Sequence, residues 1–365
     1  MVQLRFVLRH RVYSTRIFSL KRIYFGIGVA ISAVFLWWAL RGLDLAEVWL
    51  DVQSANYWWL LPGVAVYFVA VWARTWRWDY MLRPLKHIPL RQLFPVVVIG
   101  YMGNNIYPFR AGEVLRSYVL RQREGVPMGA SLATVIVERV FDGLVMLVFV
   151  FVALPFTPIP GDDGSIRAIV TTASVVFFVA MLVFFALAAM PDRFYALAEW
   201  LGDKFLPERL KRPLLDFLQR FLTGLESLRS FQNVLMIFLT SVVIWLLETV
   251  KYWFVMHAFN FEVSFFALML MNGIVNLATT LPSAPGYVGT FDGPGIAVLT
   301  LYGIERRVAT AYTLVLHAAL WLPITLLGGY YMLKEGLGWA DFGRAVAVAE
   351  QETHVASLEQ KHQQA

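Results

Sequence analysis

The chain has 365 residues, 59% of them hydrophobic and 15% charged, with mean hydropathy +0.61. A soluble globule is only about 45–50% apolar, and windows of about twenty apolar residues make this an all-α, polytopic integral membrane protein with one membrane domain. The net charge of +6 does not point to nucleic acid, because the basic residues gather at membrane flanks; with no Cys, and six His that lack ligand spacing, neither a metal nor a cofactor is expected.

Residues 1–22 form a basic segment with Arg5, Arg9, Arg11, Arg16, Lys21 and Arg22, which the positive-inside rule places in the cytoplasm. Residues 23–40 read as a retained first span, since Ala39-Leu40-Arg41 offers no signal-peptidase site. Residues 41–56, with Asp44, Glu47 and Asp51, are an external loop. A second span covers about residues 57–76, with Trp58 and Trp59 at one end and Trp72, Trp76 and Trp78 near the other as aromatic belts. Arg74 and Arg77, on one face at its inner end, are expected to snorkel to the interface.

Residues 93–107 are too short for a comfortable span, which needs about twenty residues. They run into the polar knot Asn104-Asn105-Ile106-Tyr107-Pro108-Phe109-Arg110-Ala111-Gly112-Glu113. Interrupted backbone at membrane depth is tolerated only against protein or a wet cavity, so this reads as a re-entrant or broken helix. The amphipathic stretch 113–124, with Arg116, Arg121 and Arg123, returns to the cytoplasm. A third span (130–154), a small external loop with Asp162 and Asp163, and a fourth span (167–190) complete the first half, 23–190. Residues 191–231 read as an amphipathic helix on the cytoplasmic surface, or as a cytosolic hairpin packed on the spans.

The second half, 232–333, opens with a fifth span at 233–257. Residues 265–281 and 295–302 flank a second knot and either hairpin from outside or cross twice. A last span at 308–333 leads to the polar cytoplasmic tail 334–365. This makes about six full spans plus two re-entrant hairpins. Arg306 and Arg307 fall outside on this parity, against the positive-inside rule.

The second knot repeats the grammar of the first. In each a Pro precedes a Gly by four residues (Pro108 and Gly112, Pro282 and Gly286), an Asn lies upstream (Asn105, Asn276) and a carboxylate follows (Glu113, Asp292). The knots are 174 residues apart, with opposite sidedness expected, as in an inverted repeat whose broken helices hold the substrate near mid-membrane. The alternative is two unrelated Pro/Gly loops. Pro108, Gly112, Pro282, Pro285, Gly286 and Gly289 are then structural or gating positions.

Glu138, Arg139 and Asp142 interrupt an apolar span, with Glu138 and Asp142 on one face; such charges face the bundle interior and pair, here with Arg110 or Arg116. A structural ion pair fixing the first knot is an equal reading. Glu248 and Lys251 are taken as a self-satisfied pair, and His317 as a packed, singly bonded histidine. The candidate substrate-binding set is Asn104, Asn105, Arg110, Glu113, Arg116, Glu138, Arg139, Asp142 and Asp292. Guanidinium forks match phosphate oxygens, and carboxylates receive amines or sugar hydroxyls. No catalytic residue is assigned.

Asn-Asn-x-x-Pro-x-Arg-x-Gly-Glu (104–113), Glu-Arg-x-x-Asp (138–142) and Pro-Ser-x-Pro-Gly-x-x-Gly-x-Phe followed by an acid (282–292) resemble the lysylphosphatidylglycerol synthase transmembrane-region family of flippase-like membrane proteins. The resemblance covers about residues 20–335 and implies an inner-membrane translocator of a polar lipid (an aminoacylated phospholipid, a glycolipid or an isoprenoid-linked lipid), or an accessory to one. Membrane lipids and enzymes of lipid biosynthesis are the implied partners. The acid after Gly-x-Phe, often Glu in such proteins, is Asp292 here. The short stretch after the last span leaves no room for the cytosolic synthase domain of full-length members, so lysyl transfer is not implied. Two other classes compete: a polytopic glycosyltransferase with Asp44, Glu47 or Asp51 as its base, and a small-solute transporter.

Overall fold

The computed structural model describes residues 26–107, 110–157 and 231–338, with scattered positions between 168 and 204 and at 344–345. The basic N-terminal segment, Pro108, most of the fourth span and joining segment, and the end of the tail lie outside the described residues. Every regular element among those residues is helical.

Helix α1 (Gly26–Leu40) meets α2 (Leu45–Ser54) at 83°. The sequence reading made this stretch a loop; it is a helix because Asp44 caps it, Oδ1 accepting from the Ala46 N–H at 2.8 Å, and because Val48 turns inward while Glu47 stays outside. A 3₁₀ turn at Tyr57–Trp59 leads into α3 (Leu60–Leu82). That helix continues past the expected end of the second span and keeps Arg74, Arg77 and Asp79 buried, so the arginines do not snorkel.

Helices α4 (Leu90–Ile106) and α5 (Ala111–Glu124) form the first short hairpin. The long α6 (Met128–Phe156) follows. In the second half α7 (Phe231–Met256) is followed by a second short hairpin, α8 (Phe265–Ala278) and α9 (Asp292–Leu301), and then by α10 (Arg306–Lys334). Among the described residues α7 and α10 are each long and apolar enough to cross a membrane alone, and α1 with α2 passes only as a bent pair. Helices α3 and α6 are of comparable length and, like α7, carry buried charges.

The two halves pack crosswise. Helix α3 lies on α7, α4 lies on α10 of the other half, and α8 lies on α6. Membrane helices gain nothing from burying apolar surface against one another instead of lipid, so close backbone approach has to hold them. A Cβ on Gly328 of α10 would stand 2.4 Å from the Met102 Cβ of α4, and one on Gly273 of α8 would stand 3.0 Å from the Met146 carbonyl oxygen of α6. Three apolar clusters fill the interior: around Trp78, Leu93 and Met102, around Tyr252, Leu268 and Tyr312, and around Val145, Phe149 and Leu270. Leu61, Val69, Ile136, Val243 and Leu326 face outward, as lipid contact requires.

Arg306 donates to the carbonyls of Trp38 and Ala39, and Arg307 meets Asp51 at 3.0 Å. The start of α10 therefore sits against the acidic α1–α2 corner, on the same side of the molecule as that corner. Backbone carbonyls and Asp51 hold both arginines there.

Candidate functional site

Each hairpin carries its polar knot at its tip. In the first, Gly112 is required: a Cβ there would lie 1.9 Å from the Gly100 carbonyl oxygen and 2.5 Å from the Asn104 nitrogen, so α5 rides directly on the backbone of α4. In the second, Gly286 turns the chain at φ 72°, a conformation that L side chains rarely adopt, beside the indole of Trp321. Among the described residues two non-glycine residues have positive φ, Arg110 at 52° and Tyr287 at 61°. They lie on opposite tips and touch, with the Arg110 guanidinium 5.7 Å from the Tyr287 ring centroid. Such strained backbone persists only where the surroundings hold it, and it gathers at ligand clamps and active sites.

Further contacts fasten the tips to each other and to α10. Arg110 Nη2 donates to the Thr279 carbonyl at 3.3 Å. Asn105 Nδ2 donates to Thr325 Oγ1 at 2.8 Å, and Trp321 Nε1 donates back to the Asn105 carbonyl at 3.3 Å. His317 reaches the Gly286 carbonyl at 2.7 Å through Nε2 and Asp292 Oδ1 at 2.8 Å through Nδ1. It is doubly bonded, where the sequence reading gave it one partner. Asp292 Oδ2 accepts from the Gly289 N–H at 2.8 Å, so this acid closes its own turn.

Behind the tips lies a cavity of about 140 Å³ whose wall includes Arg74, Asn104, Asn105, Arg110, Arg139, Glu248 and Lys251 together with Tyr101, Trp245 and Tyr287. A second cavity, of about 260 Å³, shares Arg110, Arg139, Trp245 and Asn276 with it and adds Asp142, Met146 and Thr280. Asn104 Oδ1 is buried at this place without a hydrogen-bond partner.

The expected carboxylate cluster on α6 is present, with a different principal partner. Arg77 Nη2 donates to Glu138 Oε1 at 2.8 Å, and its Nη1 donates to Asp142 Oδ1 at 2.7 Å and Ser241 Oγ at 2.5 Å. Arg116 holds the other Glu138 oxygen at 2.5 Å, as expected, whereas Arg110 stays at the tip, 3.6 Å from Glu113. Arg139 binds Glu113 at 3.1 Å and reaches Glu138 and Asp142 at 3.6 and 3.5 Å. Trp245 donates to Asp142 Oδ1 at 2.9 Å. Glu248 is bound by Lys251 as expected and also by Arg74 of the other half.

Of the sequence-derived set, Asn104, Asn105, Arg110, Arg139 and Gly286 line the first cavity, and Asp142 lines the second. Glu113 supports Arg139 from behind. Arg116 and Glu138 line neither cavity and neutralise one another. Pro285 starts the 3₁₀ turn at Pro285–Tyr287, Gly289 passes against the Ser32 backbone of α1, and Pro282 is exposed. Arg74 and Lys251 were not in the set, although both are 5% exposed or less inside apolar helices. A signal was available: Arg74 and Glu248 are 174 residues apart, the offset between the knots, and so are Arg77 and Lys251.

The chain is 25% identical over 315 residues to a UPF0104 membrane protein of Methanothermobacter thermautotrophicus, covering 82% of this chain and 92% of that protein. A UPF0104 membrane protein of Pyrococcus horikoshii is 22% identical, with 84% of this chain and 95% of the relative covered. The glycosyltransferase AglD of Haloferax volcanii is 26% identical over 303 residues, which cover 74% of this chain and 48% of AglD. Residues 26–328 match the family described as the lysylphosphatidylglycerol synthase TM region, spanning both hairpins, α6 and the cavities between them, and the chain belongs to that family of membrane-embedded proteins.

Proposed function

We propose that this protein moves a polar lipid between the leaflets of the inner membrane, or assists a protein that does. The observation that carries this reading is the meeting of two broken-helix tips, one from each half, around a charged cavity in an otherwise apolar bundle. A headgroup crossing a bilayer needs a polar surface at mid-depth while its tails remain in lipid, and paired discontinuous helices at a repeat interface are how membrane transporters build one. The crosswise packing of α4 on α10 and of α8 on α6 supports an inverted repeat, with α3 and α7 at its axis. About six full spans with both termini in the cytoplasm fit that arrangement. Asn104, Asn105, Arg110, Arg139 and Asp142 are the substrate-facing group, with Glu113 behind Arg139 and enzymes of lipid biosynthesis as neighbours.

The test is leaflet exchange of headgroup-labelled lipids in liposomes that hold the purified protein, wild type against Glu113→Gln. Exchange that the substitution abolishes supports translocation. The absence of exchange with anionic, lysylated and glycosylated lipids alike would sink it. A second reading, participation in sugar transfer from a lipid carrier, is favoured by the similarity to AglD over half of that protein's length. Transfer of a labelled sugar by the purified chain, lost on replacing Asp44, Glu47 and Asp51, would select it.

A further inference from the structure

The charges at the site do not balance. Around the two tips stand six cations, Arg74, Arg77, Arg110, Arg116, Arg139 and Lys251, and four carboxylates, Glu113, Glu138, Asp142 and Glu248. They form two groups. Arg74 and Lys251 share the single carboxylate Glu248. Arg77, Arg110, Arg116 and Arg139 share Glu113, Glu138 and Asp142. Each group is one anion short. The remaining acid, Asp292, is bound by His317 and the Gly289 N–H and does not line the cavity. Counted with a neutral His317, it lowers the excess from two positive charges to one.

The excess faces the cavity. Four of the cations, Arg74, Arg110, Arg139 and Lys251, line the cavity of about 140 Å³, against the one carboxylate Glu248. Lys251 is 2% exposed and Arg74 is 5% exposed, so bulk water screens neither. A buried charge in excess of its partners is unfavourable, and a bound anion removes that cost.

We propose that this cavity takes a lipid whose headgroup is an unmasked phosphate or diphosphate carrying no amine. This rests on the translocation reading and narrows its substrate class. An aminoacylated phospholipid would bring added positive charge into a wall that already has too much, and an uncharged glycolipid would leave the excess unanswered. Arg110 and Arg139, which border both cavities, are the forks that grip the phosphate oxygens, while Arg74 and Lys251 supply charge from the far wall.

The experiment is direct binding to the purified full chain, by calorimetry in neutral detergent with short-chain lipids. Phosphatidic acid should bind at least tenfold more tightly than phosphatidylcholine, and lysyl-phosphatidylglycerol should bind more weakly than either. Arg110→Gln and Arg139→Gln, whose side chains are partly exposed, should each weaken phosphatidic acid about tenfold and phosphatidylcholine less. Equal affinities, or tighter binding of the lysylated lipid, overturns the inference. Inorganic pyrophosphate bound as tightly as phosphatidic acid would uphold the anion site and overturn its assignment to a lipid. Selective binding of phosphatidic acid without leaflet exchange of any lipid would uphold this inference and defeat translocation, whereas exchange of a lysylated lipid that binds best would do the reverse.

Discussion

Arg77→Met tests whether the intramembrane cluster is held by one residue. The Arg77 side chain is fully buried and forms hydrogen bonds to Glu138, Asp142 and Ser241. Methionine fills much of the same volume without charge, so the substitution leaves two carboxylates four residues apart on α6 with Arg116 and Arg139 as their remaining cations. Removing one partner of a buried ion pair costs about 3–5 kcal/mol, because the other charge stays behind. At about 1.4 kcal/mol per tenfold, that is a factor of roughly 10² to 4 × 10³ in the folded-to-unfolded ratio. Arg83→Met is the milder comparison: Arg83 is 47% exposed, so water reaches its end of the pair with the buried Asp79, and its loss should cost less than that of Arg77. Arg77→Lys keeps the charge and loses the fork, so it should fall between the two. The assay is reversible unfolding in mixed micelles, with helicity followed against denaturing detergent. Finding Arg77→Met no less stable than Arg83→Met would refute the claim that Arg77 fixes α3 to α6.

Three further substitutions probe the tips. Gly112→Ala places a Cβ within 1.9 Å of the Gly100 carbonyl oxygen, so α5 must move off α4; folded yield should drop sharply, while Gly143→Ala, with nothing within 4 Å of its Cβ, leaves yield unchanged. Gly286→Ala requires an alanine at φ 72°, which costs about 1–2 kcal/mol, and sets its Cβ 2.9 Å from Trp321 Nε1; the unfolding midpoint should fall by that amount, and leaflet exchange should slow. His317→Ala removes the link between Gly286 and Asp292 and leaves a buried carboxylate short of one donor, a loss of about 1–3 kcal/mol; a midpoint equal to wild type would show that the second tip is held without it.

The sequence by itself determined the solvent, the element type and the places where the chain breaks. Apolar runs of about twenty residues require helices in lipid, and Pro/Gly knots beside shortened runs require hairpins, because backbone hydrogen bonding is local and lipid supplies no substitute for it. It also placed Glu138 and Asp142 on one face, since a helix repeats every 3.6 residues. It missed α2, where the acidic residues Asp44 and Glu47 were read as a loop instead of as a cap and first turn. Only the tertiary structure decided which cation answers which carboxylate. Arg77 meets Glu138 across 61 residues and Arg74 meets Glu248 across 174, because α3 crosses α6 and α7 at those heights. Crossing heights follow from where small residues let backbones approach, as at Gly273 and Gly328, and from volumes packed across helices distant in sequence, so no local pattern records them. The juxtaposition of the strained Arg110 and Tyr287 has the same origin: each turn is local, and their contact exists only because the two hairpins end at the same place.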